Sequence, residues 1–165
     1  MVNILGVCTA NICRSPVFAA LLNNRLHERG LEEWKVDSVG TWVQLERGAA
    51  RYSIQVMREY GLDISEHVAK GISAQILAEA DLIVCMEAGH AEALRIEFPE
   101  FADKVHLLSA LSGYPYSVPD RYGQSISAFR DMAAEINGLI DSGLDKIIEL
   151  AQENSDQRDL ITNHR

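Results

Sequence analysis

The chain has 165 residues, a formal net charge of −9 at pH 7 and a pI of about 5.0, and 47% of its residues are hydrophobic. This composition is typical of a globular domain, and the acidic balance argues against nucleic acid or an anionic membrane surface as a partner. No apolar run reaches the ~20 residues of a membrane span, and no signal peptide precedes the first predicted strand.

Cysteine and histidine usage predicts a reducing compartment and no metal site. Cys8, Cys13 and Cys85 are an odd number of thiols, no Cys-x-x-Cys pair occurs, and the five histidines are scattered. Unpaired thiols in a chain without a signal peptide favour the cytoplasm, and ligands this dispersed do not match a structural zinc site.

The N-terminal half of the chain alternates between strand and helix signals. An apolar run at residues 2–7 predicts a buried strand, and a helix is predicted from Pro16 to its stop at Gly30. Residues 34–39 predict a second strand, and residues 49–60 predict a helix that ends before a glycine.

The alternation continues with a strand at residues 81–86, a helix at residues 88–97 and a fourth strand at residues 105–108. It predicts an α/β fold: a single-domain three-layer sandwich with a four-stranded parallel sheet flanked by helices. In such sheets ligands bind beyond the carboxyl ends of the strands, and the loop after the first strand lies there.

A turn-rich loop at residues 112–123 leads into the last predicted helix. Apolar residues at helical spacing predict this helix from Ser125 to Ala151. The residues that follow are mostly polar and predict a frayed tail. We therefore assign residues 1–152 to the domain and residues 153–165 to the tail.

The loop after the first strand, with the sequence CTANICRSP at residues 8–16, carries a thiol and a guanidinium. A short loop that enters a helix collects backbone N–H groups and the positive end of the helix dipole, so it can bind an anion. Arg14 can hold two phosphate oxygens, and Ser15 can donate a hydrogen bond to the sulfur of Cys8. The same field favours the Cys8 thiolate, so we expect a nucleophile facing phosphorus. The alternative, a small buried residue, would leave the arginine charge unpaired near the core.

The loop and four further segments resemble the low-molecular-weight protein tyrosine phosphatases. Besides VCTANICRSP at residues 7–16, the matching segments are DSVGT at 37–41, GLDISEH at 61–67, ADLIVCM at 80–86 and PDRYG at 119–123. Their order and spacing extend the resemblance along nearly the whole chain. The resemblance implies the phosphatase I-like fold of that family.

The resemblance implies hydrolysis of protein phosphotyrosine and small aryl phosphates through a phosphocysteine. Cys8 would attack phosphorus in line, and Asp120 would protonate the leaving phenolate and later take a proton from water. Arg14 and the loop amides would stabilise the developing charge, so neither a metal nor an organic cofactor is expected. The implied partners are phosphotyrosine-containing proteins, a tyrosine kinase and an oxyanion in the loop. Without the resemblance, Asp120 fits an ordinary turn residue better than a catalytic one.

Further roles follow from matching positions. The residues expected to surround the phosphate are Thr9, Ala10, Asn11, Ile12, Cys13, Arg14 and Ser15. Asn11, Ser38 and His67 match positions that brace the loop through hydrogen bonds. Cys13 matches a cysteine that can form a reversible disulfide with the nucleophile, with a buried structural thiol as the alternative. Trp42 and Tyr122 are candidates for aromatic walls around the substrate ring.

Two residues depart from the family pattern. Ala10 replaces the usual glycine and would be strained if this position required a positive φ. Arg121 replaces the usual proline after the general acid, which is expected to loosen the loop of Asp120. Either effect predicts slower turnover.

Three alternatives remain open. Arsenate reductases share the fold and the loop but need further cysteines to relay a disulfide, and only Cys85 lies downstream. Protein arginine phosphatases of the same family usually have Thr where this chain has Ile12, which favours phosphotyrosine as the substrate. A weakly active or non-catalytic phosphate-binding module is the third alternative, suggested by Ala10 and Arg121.

Overall fold

The structure, a computed structural model, describes residues 1–164. The strands are β1 (Asn3–Cys8), β2 (Lys35–Gly40), β3 (Leu82–Cys85) and β4 (Val105–Leu107). The helices are α1 (Arg14–Glu28), α2 (Arg51–Glu59), α3 (Ala74–Glu79), α4 (Ala88–Glu97), α5 (Leu108–Leu111) and α6 (Ile126–Asn163). A 3₁₀ helix at Pro99–Lys104 precedes β4.

The four strands form one parallel sheet in the order β2-β1-β3-β4. The central strand β1 pairs with β2 on one side and with β3 on the other, so that Val7 lies opposite both Val39 and Cys85. The carboxyl ends of β1, β2 and β3 therefore meet at one edge of the sheet, and the loop after β1 lies at the centre of this edge.

Successive residues of β1 face two different layers, as the period of a strand requires. Ile4 packs into the larger apolar cluster with α1 and α6, whereas Leu5 and Val7 pack into the smaller cluster with α4. Gly6 faces the first cluster, and a Cβ on it would lie 2.5 Å from Cδ1 of Phe18. Because glycine has no side chain, the ring from α1 packs directly on the strand.

The predicted single-domain α/β fold with a four-stranded parallel sheet is confirmed. Two element ends differ from the prediction. Helix α1 begins at Arg14, two residues earlier than predicted, so the guanidinium of the loop belongs to the first helical residue. Strand β4 ends at Leu107 because the next residue begins the short helix α5.

The prediction of a frayed tail is wrong for the described residues, since α6 continues to Asn163. Ser155 is buried in this extension, and Asn154 Nδ2 donates a 2.8 Å hydrogen bond to the carbonyl of Asp81. Arg158 forms a 2.8 Å ion pair with the buried carboxylate of Asp81. These contacts join the end of α6 to the start of β3, and they involve partners that a polar local sequence does not reveal. Although α6 has 38 residues, no helix within residues 1–164 is long and apolar enough to cross a membrane.

Candidate active site

The loop between β1 and α1 is curled because donors outside it hold its carbonyl groups. The carbonyls of Cys8, Thr9, Asn11, Ile12 and Cys13 are held by Thr41 N, Trp42 N, His67 Nε2, Ala50 N and Ser53 Oγ respectively, at 2.7–3.2 Å. With its carbonyls directed outward, the loop turns its amides inward, beside the N-terminus of α1. This arrangement forms an anion-binding site without any charged side chain.

Gly40, at the end of β2, is required for the close approach of the loop. A Cβ on Gly40 would lie 2.4 Å from the carbonyl oxygen of Thr9. The two residues after Gly40, Thr41 and Trp42, donate their backbone N–H groups to the carbonyls of Cys8 and Thr9, both at 2.9 Å. The segment after β2 thus lies directly against the first turn of the loop.

Asn11 is the central brace of the loop. It is fully buried and has a φ of 57°, the left-handed conformation that asparagine tolerates better than most residues. Its Nδ2 donates 2.8 Å hydrogen bonds to Ser15 Oγ and to Ser38 Oγ, and its Oδ1 accepts from the amide of Lys70 at 3.0 Å. His67 Nε2 lies 2.7 Å from the carbonyl oxygen of Asn11, and because a carbonyl only accepts, His67 carries its proton on Nε2. The structure therefore places Ser38 and His67 against Asn11, as expected.

Ala10 has an ordinary negative φ. Within residues 1–164 the only residue other than glycine with a positive φ is Asn11. The expected strain at Ala10 was conditional on a positive φ, and the loop meets that requirement one residue later. The replacement of glycine by alanine therefore needs no strained backbone.

The sulfur of Cys8 is buried at the base of the loop, 2.9 Å from Ser15 Oγ. Ser15 already accepts a hydrogen bond from Asn11 Nδ2, so its own proton is free to be donated to the sulfur. This donor stabilises a thiolate over a thiol and stabilises sulfur again when it acts as a leaving group.

Arg14 projects from the start of α1 with only 2% of its surface exposed. Its Nη1 pairs with the carboxylate of Glu87 and donates to the carbonyl of Val118 at 2.9 Å. Its Nη2 lies 3.9 Å from Asp120 Oδ2. Its Nε is buried without an acceptor among the described residues. One edge of the guanidinium is thus anchored, and the other edge offers Nε and Nη2 to an oxyanion.

Glu87 and His90, which the sequence did not single out, belong to this site. Glu87 follows β3 and immediately precedes α4, and His90 in the first turn of α4 places Nε2 2.9 Å from Thr9 Oγ1. His90 is buried, and this burial, together with the nearby charge of Arg14, lowers its pKa although Glu87 acts in the opposite direction. The position of both residues after a strand next to β1 was a signal that could have found them.

Asp120 lies on the loop before α6, and about half of its side chain is exposed. Its Oδ1 accepts the amide of Tyr122 at 3.0 Å, which leaves Oδ2 directed toward Arg14. Gln124 closes the turn by donating its amide to the carbonyl of Arg121 at 2.9 Å. These turn hydrogen bonds order the segment in which Arg121 replaces the expected proline.

The loop, Asp120 and the segment after β2 enclose a cavity of about 290 Å³. The residues around it are Cys8, Thr9, Ala10, Ile12, Cys13, Arg14, Trp42, Val43, Gln44, Leu45, Arg47, Asp120 and Tyr122. Trp42 and Tyr122 stand at its mouth, 67% and 57% exposed, and Ile12 is buried at its inner end. The cavity therefore combines an anion site at the base with apolar walls.

Cys13 lies in the same cavity but in a different electrostatic environment from the base of the loop. Burial, together with the negative charges of Asp120 and Cys8, raises its pKa to about 12. Cys13 is therefore a thiol at neutral pH, and a nucleophilic thiolate is not expected at this position. Cys85, in β3, also has its pKa raised to about 12 by burial.

A thiol at the base of an anion-binding loop, with a buried guanidinium beside it and a carboxylate above it, defines the class of cysteine-dependent phosphatases. Sequence comparison makes the assignment specific. A sequence model of the family described as low molecular weight phosphotyrosine protein phosphatase matches residues 3–155. The chain belongs to this family.

Individual relatives agree with this assignment. The chain is 38% identical over 127 residues to the low molecular weight protein-tyrosine-phosphatase Wzb of Escherichia coli K12, covering 77% of this chain and 82% of Wzb. It is 31% identical over 145 residues to a protein-arginine-phosphatase of Geobacillus stearothermophilus, covering 87% and 95% of the two chains. The crystal structure of a low molecular weight protein tyrosine phosphatase from T. tengcongensis matches with a TM-score of 0.83 and 33% identity, covering 88% of this chain and 99% of that chain.

Proposed function

We propose that the protein hydrolyses protein phosphotyrosine and small aryl phosphates through a phosphocysteine intermediate. The observation that carries this proposal is the contact of 2.9 Å between Cys8 Sγ and Ser15 Oγ at the base of the curled loop. A phosphoryl group held by the loop amides would present phosphorus to this sulfur.

In the first step Cys8 attacks phosphorus as the thiolate, a sulfur–phosphorus bond forms and the phosphorus–phenolate bond breaks. Asp120, in its acid form, gives its proton to the leaving phenolate oxygen. Its half-exposed position on the opposite side of the cavity from the sulfur suits this role, since the leaving group departs in line with the attack. The phenol then leaves through the cavity mouth.

In the second step a water molecule attacks the phosphocysteine, and the sulfur–phosphorus bond breaks. Asp120, now a carboxylate, takes a proton from the water, and inorganic phosphate forms. Ser15 donates its hydrogen bond to the sulfur of Cys8 as it leaves as a thiolate. In both steps the loop amides and the Nε and Nη2 groups of Arg14 stabilise the equatorial oxygens.

Phosphotyrosine is the substrate that the walls of the cavity favour. The inner end is formed by the apolar side chain of Ile12, and Trp42 and Tyr122 stand at the mouth, where an aryl ring can stack. The guanidinium of phosphoarginine would instead need polar acceptors, which Ile12 does not supply. Wzb, a relative named as a tyrosine phosphatase, supports this choice, and the related protein-arginine-phosphatase makes phosphoarginine the second candidate.

The proposal extends to the partners and the compartment of the enzyme. A tyrosine kinase must supply phosphotyrosine proteins, since hydrolysis consumes a group that only phosphoryl transfer to tyrosine creates. All three cysteines are free thiols, which supports a reducing compartment such as the cytoplasm.

Cys13 is proposed as a resolving thiol for the nucleophile. A peroxide would oxidise the Cys8 thiolate to a sulfenic acid, and Cys13 would then displace hydroxide from that sulfur to form a disulfide, with its own proton leaving in the water formed. Oxidation removes the negative charge of Cys8 that helps to raise the pKa of Cys13, so the reaction is favoured only after oxidation.

Turnover of para-nitrophenyl phosphate and of matched phosphotyrosine, phosphoarginine and phosphoserine peptides tests the proposed reaction. We expect Cys8→Ser to abolish turnover and Cys85→Ala, a change of a buried cysteine on the other face of the sheet, to retain it. Asp120→Asn is expected to lower kcat for the phosphotyrosine peptide by about 10²- to 10⁴-fold, and less for para-nitrophenyl phosphate, whose leaving group needs less protonation. Turnover by Cys8→Ser, or a preference for phosphoserine or phosphoarginine, would contradict the proposal.

A further inference from the structure

Thr9 and His90 form a hydrogen-bonded pair that the reaction described above does not use. Thr9 Oγ1 lies 2.9 Å from His90 Nε2 and 3.5 Å from Arg14 Nη2. Thr9 lines the catalytic cavity, whereas His90 reaches it from the first turn of α4 with only 6% of its surface exposed. A buried imidazole thus contacts a hydroxyl at the place where the phosphate oxygens are expected.

The surroundings of His90 select one of its two neutral tautomers. Burial and the charge of Arg14 lower the pKa of His90, so the ring is neutral near pH 7. Its Nδ1 is buried without a partner among residues 1–164. A proton on Nδ1 would be a buried donor with no acceptor, whereas a proton on Nε2 is donated to Thr9 Oγ1. The Nε2–H tautomer is therefore favoured.

This tautomer determines what the hydroxyl of Thr9 can do. Thr9 Oγ1 then accepts from His90 Nε2 and from Arg14 Nη2, so both of its lone pairs are used. The remaining capacity of the hydroxyl is its proton. Because Thr9 lines the cavity, the acceptor within reach of this proton is an oxygen of a bound phosphoryl group.

We propose that the Thr9 hydroxyl is an additional phosphate-binding donor, and that His90 is the positioning residue that directs its proton toward the phosphoryl oxygen. This inference rests on the proposed function in that the phosphoryl group occupies the loop. It adds a side-chain donor to the backbone amides and to Arg14. It also assigns a role to a buried histidine that comes from a different element of the fold.

The test is the dissociation constant of inorganic phosphate at pH 7, measured by isothermal titration, which needs no turnover. Thr9→Val keeps the shape of the side chain and removes the hydroxyl, so it is expected to weaken phosphate binding about tenfold, the range for a hydrogen bond to a charged group. Thr9→Ser, which retains the hydroxyl, should stay within about twofold of the wild type.

His90 is tested by a double-mutant cycle. His90→Phe should weaken phosphate binding about three- to fivefold in the presence of Thr9 and have no further effect in the Thr9→Val background. His90→Gln, whose amide nitrogen can donate in place of Nε2, should restore most of the affinity. His106→Phe is the matched control, because His106 is a second partly buried histidine with an unpartnered ring nitrogen, and it does not line the cavity.

Two results would overturn the inference. One is an unchanged phosphate affinity of Thr9→Val, which would mean that Thr9 donates to His90 instead of to phosphate. The other is an equal effect of His90→Phe with and without the Thr9 hydroxyl, as expected of a merely structural residue. A failure of the proposed function would look different, since phosphate would bind while Cys8-dependent turnover was missing.

Discussion

Replacement of Asn11 by alanine is the most direct test of how the loop is held. The change removes the two hydrogen bonds from Nδ2 to Ser15 and Ser38 and the one that Oδ1 accepts from Lys70. It also places an alanine at a φ of 57°. Every one of these contacts is lost at a residue that is fully buried, so water cannot replace them without opening the loop.

The expected loss follows from these contacts. Three hydrogen bonds at about 1 kcal/mol each, plus about 1 kcal/mol for a Cβ in the left-handed region, predict a decrease of about 3–5 kcal/mol in the free energy of unfolding. Asn11→Gly loses the same hydrogen bonds but tolerates the backbone conformation. We therefore expect the glycine variant to be about 1 kcal/mol more stable than the alanine variant.

Urea unfolding followed by the fluorescence of the buried Trp34 measures both differences. Activity toward para-nitrophenyl phosphate should fall in both variants, because the loop amides no longer converge on one point. Ser38→Ala, which loses a single hydrogen bond, is the graded control and should cost about 1 kcal/mol. An alanine variant within 1 kcal/mol of the wild type, or more stable than the glycine variant, would refute the view that Asn11 braces the loop.

Two further predictions concern the packing of α6 and the effect of pH. A Cβ on Gly143 would lie 3.1 Å from the carbonyl oxygen of Leu111, whereas one on the exposed Gly138 would contact nothing within 4 Å, so thermal unfolding should show Gly143→Ala destabilised by about 1–2 kcal/mol and Gly138→Ala stabilised by up to about 1 kcal/mol. Equal shifts in the two variants would contradict this packing. The folded-state pKa of His90 lies below its usual value of 6.5, so the unfolded chain binds the proton more readily and the free energy of unfolding should decrease as the pH falls below about 6.5. Urea unfolding at pH 7.5, 6 and 5 should show a smaller decrease for His90→Gln, and parallel curves would exclude His90 as a source.

The local sequence around the loop was informative because its signals are short-range. A buried strand, a tight turn and a helix start are each encoded within a few residues, so the geometry that joins Cys8 to Arg14 could be predicted before the sheet was known. The four parallel strands followed from hydrophobic pattern alone. The family resemblance added Asp120, which local turn chemistry could not distinguish from an ordinary turn residue.

The missed and mistaken parts depend on contacts between distant segments. The end of α6 was predicted to fray because its residues are polar, yet Asn154 and Arg158 find their partners at Asp81, more than seventy residues away in the chain. Glu87 and His90 were missed because nothing near them in sequence distinguishes them from ordinary residues at the start of a helix.

The amino-acid sequence by itself determined the loop: a nucleophile, an arginine and a helix start within seven residues, Cys8 to Arg14, whose chemistry depends on their neighbours in the chain. Only the tertiary structure decided how this loop is completed. Because β1 pairs with β3, the start of α4 comes to lie beside the loop, and this brings Glu87 to Arg14 and His90 to Thr9. The curl likewise places the left-handed residue at Asn11, where a side chain can brace it, and allows alanine at the preceding position.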